Sequence, residues 1–340
     1  MDNDLRKINI GIIGLGNQGK IHLNNCLNMK DVNVLGVADV SRNALKLAEK
    51  KGIRNTYLNY EDLLKNNQID SVIISLPNYL HTEATIKAAE AGKDVLLEKP
   101  LARNVSEGRL ILSSAQKYGI KLMLGYEMRF IKSLMTLHDE IAGGYFGEVQ
   151  FADVVNVSGG PLSSRGEGAR PLAVPPWWFD KEKVGGGALL DLGSHLINLL
   201  NWYFGEVKDV KAFIGFMYNM DVEDVATCIL KYKNGPLASI RVGWFSKGFF
   251  QSVQVCGTAK NVSLNLAPLS IFRVISGDIK TKLGWHKNKS IYSEIEYFID
   301  CLRKDVNPSP SGEDGLRDLQ VIELAYKTAS RLDKIQEASN

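Results

Sequence analysis

Short apolar runs rich in β-branched residues recur along the first third of the chain, each followed by a stretch with helical spacing. Residues 8–13, 32–38, 69–75, 94–97 and 121–124 read as strands. Their length and near-continuous apolar character suit strands covered on both faces. Helical patterns fill the intervals, near 41–50, 82–91 (stopping at Gly92) and 106–118. Strand and helix in strict turn predict an α/β domain, a doubly wound parallel sheet of Rossmann type over residues 1–125. Beyond that point the rhythm changes. One helix (about 130–142) precedes alternating runs near 149–157, 238–245, 252–257 and 262–266, and Asn234-Gly235 supplies a hairpin signal before the second of them. Residues 126–340 are therefore expected to form an α+β domain with an open, mostly antiparallel sheet. Helical stretches near 291–304 and 315–331, separated by Pro308-Ser309-Pro310, are expected to support it. An open sheet leaves one face to be covered, which predicts a homodimer or homotetramer formed through it.

A chain of 340 residues exceeds one ordinary core, in keeping with two domains. Its 41 basic and 38 acidic side chains nearly cancel, and no basic run appears, so neither nucleic acid nor an anionic membrane is an expected partner. The opening MDNDLRKINI carries acids and no apolar core segment, unlike a signal peptide, and no apolar run approaches the ~18 residues of a membrane span. Four cysteines (Cys26, Cys228, Cys256, Cys301) lack CxxC or metal-ligand spacing. They read as thiols of a reducing compartment, hence a cytoplasmic protein with no metal expected.

The first strand runs into Gly14-Leu15-Gly16-Asn17-Gln18-Gly19, a G-x-G-x-x-G sequence at a strand-to-helix turn. Gly14 permits the tight turn, Gly16 lets backbone approach a pyrophosphate, and Gly19 lets helix and strand pack closely. The helix that follows offers unpaired N–H groups and a positive dipole end. Asp39 closes the second strand twenty residues beyond Gly19, where an acid can hold a ribose 2′-hydroxyl and repel a 2′-phosphate. NAD is thereby favoured, although nearby Arg42 can serve a 2′-phosphate, so NADP is not excluded. Asp39 can equally cap the next helix. Pro77-Asn78 and Glu98-Lys99 also fall at strand ends, where ligands of such sheets collect. His81 reads as a cofactor contact or as a helix-start residue satisfied locally.

A second constellation lies at 184–198, V-GGG-ALLDLGSHLIN. Asp191 and His195, four apart, share one face of a helix, a spacing that lets a carboxylate orient an imidazole. The same pair also suits an ordinary solvated face. Three glycines (185–187) let backbone come close at the helix entrance. Residues 158–176 form a Gly/Ser/Pro-rich segment with Arg165 and Arg170, readable as a lid over an anionic substrate or as a surface excursion. Trp177-Trp178-Phe179 lines a sugar pocket or belongs to the core.

Taken in order, Gly14 to Gly19 with His22, Pro77-Asn78 with His81, Glu98-Lys99-Pro100, Gly125-Tyr126 with Arg129, Gly185-Gly186 with Asp191-Leu192-Gly193-Ser194-His195, and Ser311 to Gly315 make the full chain resemble the Gfo/Idh/MocA oxidoreductases. That family is named after glucose–fructose oxidoreductase and inositol dehydrogenase. The resemblance implies an enzyme that moves a hydride between NAD(P) and a secondary alcohol or ketone of a sugar, inositol or related derivative. Lys99, Asp191 and His195 take the catalytic positions. It implies a cofactor site of Gly14, Gly16, Asn17, Gln18, Gly19, Asp39, Arg42, Pro77, Asn78, His81, Glu98 and Lys99. Tyr126, Arg129 and Trp178 are secondary candidates for substrate contact. Two other readings stay open: an NAD-dependent glycosidase of the same fold, and a non-catalytic NAD-sensing regulator.

Overall fold

A computed structural model describes residues 6–161, 175–218, 220–233, 235–245, 248–266 and 284–332. Arg165, Arg170 and Asn234 fall outside these residues. The chain forms two compact units, Met1–Phe130 with Gly284–Leu316, and Ile131–Leu283 with Arg317–Asn340. The sequence pattern suggests a single cut after residue 125; the fold instead returns a late segment to the first unit.

In the first unit, strands β1 (Ile8–Ile13), β2 (Val32–Ala38), β3 (Thr56–Tyr57), β4 (Ser71–Ile74), β5 (Asp94–Glu98) and β6 (Leu122–Gly125) lie in the order β3-β2-β1-β4-β5-β6. All five pairings are parallel. This is the dinucleotide-binding order, with its reversal between β1 and β4. Helices α1 (Asn17–Leu27), α2 (Arg42–Glu49), α3 (Tyr60–Leu64), α4 (Asn78–Glu90) and α5 (Val105–Tyr118) make the crossovers. Buried strand residues such as Ile10, Ile12, Ile73 and Leu96 explain the continuous apolar runs.

The returning segment has a physical reason to be there. In the helix Gly284–Lys304, residues Ile291, Ile295, Phe298 and Ile299 recur at i, i+4, i+7 and i+8. All four are buried in one cluster with Leu23 and Cys26 of α1 and with Met123. The chain then runs along β6, where Leu124 N–H donates to the Pro310 carbonyl at 2.9 Å and Ser311 bridges Met123. Ser311 and Asp314 exchange backbone-to-side-chain bonds (2.8 and 3.3 Å), a reciprocal cap that starts the helix Gly312–Thr328.

The second unit is built on a seven-stranded sheet among the described residues. Its strands are β7 (Val149–Val157), β8 (Val207–Gly215), β9 (Val225–Tyr232), β10 (Leu237–Gly243), β11 (Phe250–Gly257), β12 (Asn261–Asn265) and β13 (Ala329–Arg331), in the order β12-β11-β7-β10-β9-β8-β13. Four pairings are antiparallel, while β7–β10 and β8–β13 are parallel, so the sheet is mixed. The β9–β10 hairpin pairs Lys231 with Leu237, as the Asn-Gly signal predicts. The final helix is offset from the expected span by three residues: it starts at Gly312, stops at Thr328 and gives way to β13.

Helices α6 (Lys132–Ala142) and α8 (Ser194–Phe204) pack together, and α8 packs on β7 and β10. Outward positions of β7 to β11 leave Phe151, Phe213, Ile229, Leu237 and Phe250 each between 43% and 52% exposed. No helix among the described residues is long and apolar enough to cross a membrane.

Candidate active site

The glycine loop of the first unit divides its labour as the chemistry demands. Gly14 has φ of +90°, and a β-carbon there would meet the Ser75 carbonyl oxygen at 2.4 Å. At Gly19 a β-carbon would lie 1.9 Å from the Gly14 oxygen, so the helix start and the turn need a bare backbone. Gly16 is different. Nothing lies within 4 Å of its notional β-carbon, and it is the N-cap of α1 with no side chain capping the helix. Its lack of a side chain serves no contact inside the protein, and the uncapped amides of α1 are suited to an anion. Asn17 and Gln18 begin that helix. The dinucleotide's diphosphate fits this cradle.

Asp39 ties the cradle to the strand end. Its Oδ2 accepts from Leu15 N–H at 2.6 Å and its Oδ1 from Ser41 N–H at 2.7 Å. The cap of α2 is Ser41, whose hydroxyl accepts from Ala44 N–H at 3.3 Å. That removes the capping alternative for Asp39 and leaves it a loop-fixing carboxylate at the position suited to a ribose. Arg42 is the exposed first residue of α2.

Glu98 was expected among the cofactor contacts, yet its carboxylate is spent inside the unit. It is 7% exposed and its Oε1 accepts from His22 Nε2 at 2.6 Å and Gln18 Nε2 at 3.2 Å. Gln18 and His22 stand one turn apart on α1, so a single oxygen holds the cofactor helix to the end of β5. Burial alone pushes this carboxyl up, but the bonds from His22 and Gln18 and the charge of Lys99 outweigh it and hold the group at about 2. Lys99, the next residue, is half-buried at the carboxyl edge of the sheet.

His81 is likewise an internal clamp. It is 1% exposed, with Nδ1 at 2.8 Å from the Pro100 carbonyl and Nε2 at 2.9 Å from that of Leu76. Both ring nitrogens are engaged by backbone, and burial pushes its pKa down against the pull of the two carbonyls. His81 thus ties the loop after β4 to the residue following Lys99. Pro77 and Asn78 open α4 beside it. Arg129 also departs from expectation. Its guanidinium donates to Ser309 Oγ at 3.2 Å and lies 3.6 Å from Asp314, so it locks the returning segment in place. Tyr126 is 2% exposed, in the core.

In the second unit, helix α7 (Lys181–Val184) ends at Gly185, whose φ of +88° closes it. A π turn, Leu189–Gly193, follows and leads into α8. The expectation of Asp191 and His195 on one uniform α-helix is thus corrected: Asp191 lies within the π turn and His195 just beyond it. Such turns concentrate at functional sites. Asp191 Oδ2 accepts from the indole N–H of Trp244 at 3.3 Å, and Asp191 N–H donates to the Gly187 carbonyl at 3.0 Å. Trp244 is fully buried; Trp178 meets it edge-on at 6.4 Å and stacks with Trp177 at 5.1 Å. Trp178 is therefore half-buried in the middle of an aromatic row that runs from Trp177 through Trp244 to Asp191.

Other residues of this site escape a reading of the sequence. Glu223 receives the amides at the entrance of the π turn, with 2.9 Å bonds from Gly187 and Leu189. Asp318 accepts from Asn198 (2.7 Å) and Asn201 (2.8 Å) and anchors α8. Both acids sit far along the chain from their partners, in stretches that look like an ordinary turn and an ordinary helix. Among the described residues no three metal-ligating side chains cluster.

Comparison with known proteins agrees with this architecture. The oxidoreductase family model with an NAD-binding Rossmann fold, GFO/IDH/MocA, matches residues 8–126, and the GFO/IDH/MocA C-terminal domain matches 134–263. The chain belongs to the GFO/IDH/MocA family. As a member it is an NAD-binding oxidoreductase. It is 26% identical over 333 residues to the myo-inositol 2-dehydrogenase of Thermotoga maritima, covering 94% of this chain and 95% of the relative. Among solved structures, GenD2 from gentamicin A biosynthesis, in complex with NAD, superposes with a TM-score of 0.83 at 22% identity, covering 95% of this chain and 94% of GenD2. Levoglucosan dehydrogenase, in complex with NADH and levoglucosan, gives 0.80 at 21% identity, with 95% and 97% covered. These two structures share the fold of this chain.

Proposed function

We propose that this GFO/IDH/MocA oxidoreductase interconverts a secondary alcohol and ketone on a sugar, an inositol or a related polyol. The observation that carries the proposal is Asp191, on a π turn against Trp244, one helical step before His195. Such a pair is the equipment for moving a hydroxyl proton at neutral pH. The inositol dehydrogenase relative supports the substrate class.

In this reading His195 takes the proton of the reacting hydroxyl. Asp191 orients the imidazole and stabilises its charged form, while the Trp244 indole keeps the carboxylate turned toward that task. Lys99 holds the third catalytic position, an ammonium suited to offsetting alkoxide charge as it develops. NAD supplies the hydride acceptor at the nicotinamide C4. Per turnover the carbinol loses one proton and one hydride, giving ketone, NADH and a released proton. Asp39 at the ribose position repels a 2′-phosphate, which supports NAD over NADP, and exposed Arg42 is the residue that would soften this preference. Half-buried Trp178 offers an apolar flank for a sugar ring.

The test is a panel of inositols, sugars and sugar acids incubated with NAD. Absorbance at the NADH band should rise with at least one of them, and deuterium on the carbinol carbon should slow the rise and appear in the NADH. Glycoside cleavage with retained NAD and no net NADH would instead point to the glycosidase reading. Binding of NAD with no turnover of any kind would favour the regulator.

The outward face of the second unit's sheet, with Phe151, Phe213, Ile229, Leu237 and Phe250 half-exposed, supports a second copy of this chain as its partner. Light scattering on the purified protein should give a dimer or tetramer, and Phe213→Asp should shift it toward monomer. A wild-type monomer at micromolar concentration would overturn this assignment.

A further inference from the structure

Glu223, in the turn between β8 and β9, is 3% exposed and takes no part in the chemistry above. Its carboxylate accepts from Gly187 N–H (Oε2, 2.9 Å), from Leu189 N–H (Oε1, 2.9 Å) and from the Tyr326 hydroxyl (Oε1, 2.9 Å). Its own carbonyl accepts from Ala188 N–H at 2.9 Å. Three consecutive amides at the entrance of the π turn thus end on one residue from another part of the chain. Helix entrances leave such amides without internal partners, and a nearby Ser or Asp usually serves one or two of them.

The local sequence is shaped around this acid. A β-carbon at Gly187 would lie 1.8 Å from the Glu223 carbonyl oxygen and 2.8 Å from Oε2. One at Gly186 would lie 2.3 Å from the Tyr326 hydroxyl oxygen. Two of the three glycines are therefore there to admit Glu223 and Tyr326. The Gly187 peptide then passes the constraint on, because its carbonyl is the acceptor for Asp191 N–H.

We propose that Glu223, supported by Tyr326, is a positioning residue that fixes the π turn and thereby aims Asp191 at His195. A π turn holds one residue more than the α-helical turn it replaces. If the entrance amides were released, the segment could relax to an α-helix, and each residue of re-registration turns a side chain by ~100° about the axis. That is enough to take the carboxylate away from the imidazole. The proposal rests on the functional reading above, in which Asp191 and His195 act as a pair.

The experiment uses Glu223→Gln and Tyr326→Phe in the NAD-loaded full chain, with the best substrate of the panel. Glutamine keeps the shape but offers an NH₂ group where one of the two amides needs an acceptor. A displacement of catalytic groups by about 1 Å can cost ~100-fold in rate. The expected result for Glu223→Gln is a kcat lowered on that scale, with KM and NAD affinity within about threefold of wild type by the same argument. Tyr326→Phe, which leaves the carboxylate in place, should show a smaller fall of the same kind. A lowered melting temperature with unchanged kcat in both variants would mean a merely structural cap and overturn the proposal. Should Glu223→Gln not fold, Tyr326→Phe alone decides by the same split. A second readout is independent of turnover: the indole N–H resonance of Trp244, one of five tryptophans and assigned by Trp244→Phe, reports on the carboxylate that it touches. It should move in Glu223→Gln. If it moves while wild type turns over nothing on the panel, the positioning stands and the functional reading falls; an unmoved resonance sinks the positioning.

Discussion

His195→Ala should lose about 10²- to 10⁴-fold in kcat, the range that a positioned general base contributes, with NAD affinity close to wild type. The split is informative because His195 belongs to the second unit and the nucleotide cradle to the first. A stability effect large enough to mimic the loss is not expected: the histidine sits at the second residue of α8, where Asn198, Asn201 and Asp318 keep the helix anchored without it. Asp191→Asn should also fall steeply, by up to ~10⁴-fold, since the amide keeps an oxygen for the Trp244 indole but gives up the charge that favours imidazolium and sets its tautomer. Stopped-flow measurement of NADH formation under saturating substrate decides the matter. Turnover within about threefold of wild type in His195→Ala would remove the histidine from the mechanism, because no general base contributes so little.

The second large effect concerns two glycines three residues apart that fail in opposite ways. Gly16→Ala places its methyl group in open space and should leave the melting temperature of the nucleotide-free protein nearly unchanged, within about 0.5 kcal/mol in stability. The same methyl would stand where a diphosphate must approach the amides of α1. Losing one or two charge-assisted hydrogen bonds, at about 1.5–3 kcal/mol each, weakens NAD binding by ~10- to 10⁴-fold. Gly19→Ala meets the Gly14 carbonyl at 1.9 Å and should destabilise the apo protein by about 1–3 kcal/mol or more before any ligand is added. Calorimetric titration with NAD, alongside thermal melts, separates the two. Wild-type affinity in Gly16→Ala would mean that the phosphates do not lie in this loop.

These contrasts show where the sequence could be read and where it could not. The cradle was legible because each of its parts acts on its own neighbourhood. A glycine permits its own turn, an amide its own anion, and a β-branched run its own buried strand. The internal partners of His81, Glu98 and Arg129 were illegible for the opposite reason. A polar residue inside a recognisable motif reads as a ligand contact, but whether it faces a ligand or a carbonyl depends on chain that arrives from elsewhere. For Arg129 that chain is Ser309 and Asp314, some 180 positions downstream. Glu223 carries no local mark at all: in the string Asp221-Val222-Glu223-Asp224 it looks like one more turn acid, and its partners lie 34 and 36 residues earlier. The triple glycine was the nearest available sign, since it promised something close at the helix entrance without naming it. The late helix was visible from its spacing, yet amphipathicity says that a face is covered and never by what.

The return of residues 284–316 to the first unit bears on how the polypeptide is made. A ribosome delivers the nucleotide-binding strands first, then about 150 residues of the other unit, and only afterwards the helix that covers Leu23, Cys26 and Met123. At 5–20 residues per second that interval lasts on the order of ten to thirty seconds. During it an apolar flank of the nascent protein stands bare, which makes this stretch of synthesis the moment when a chaperone has most to hold.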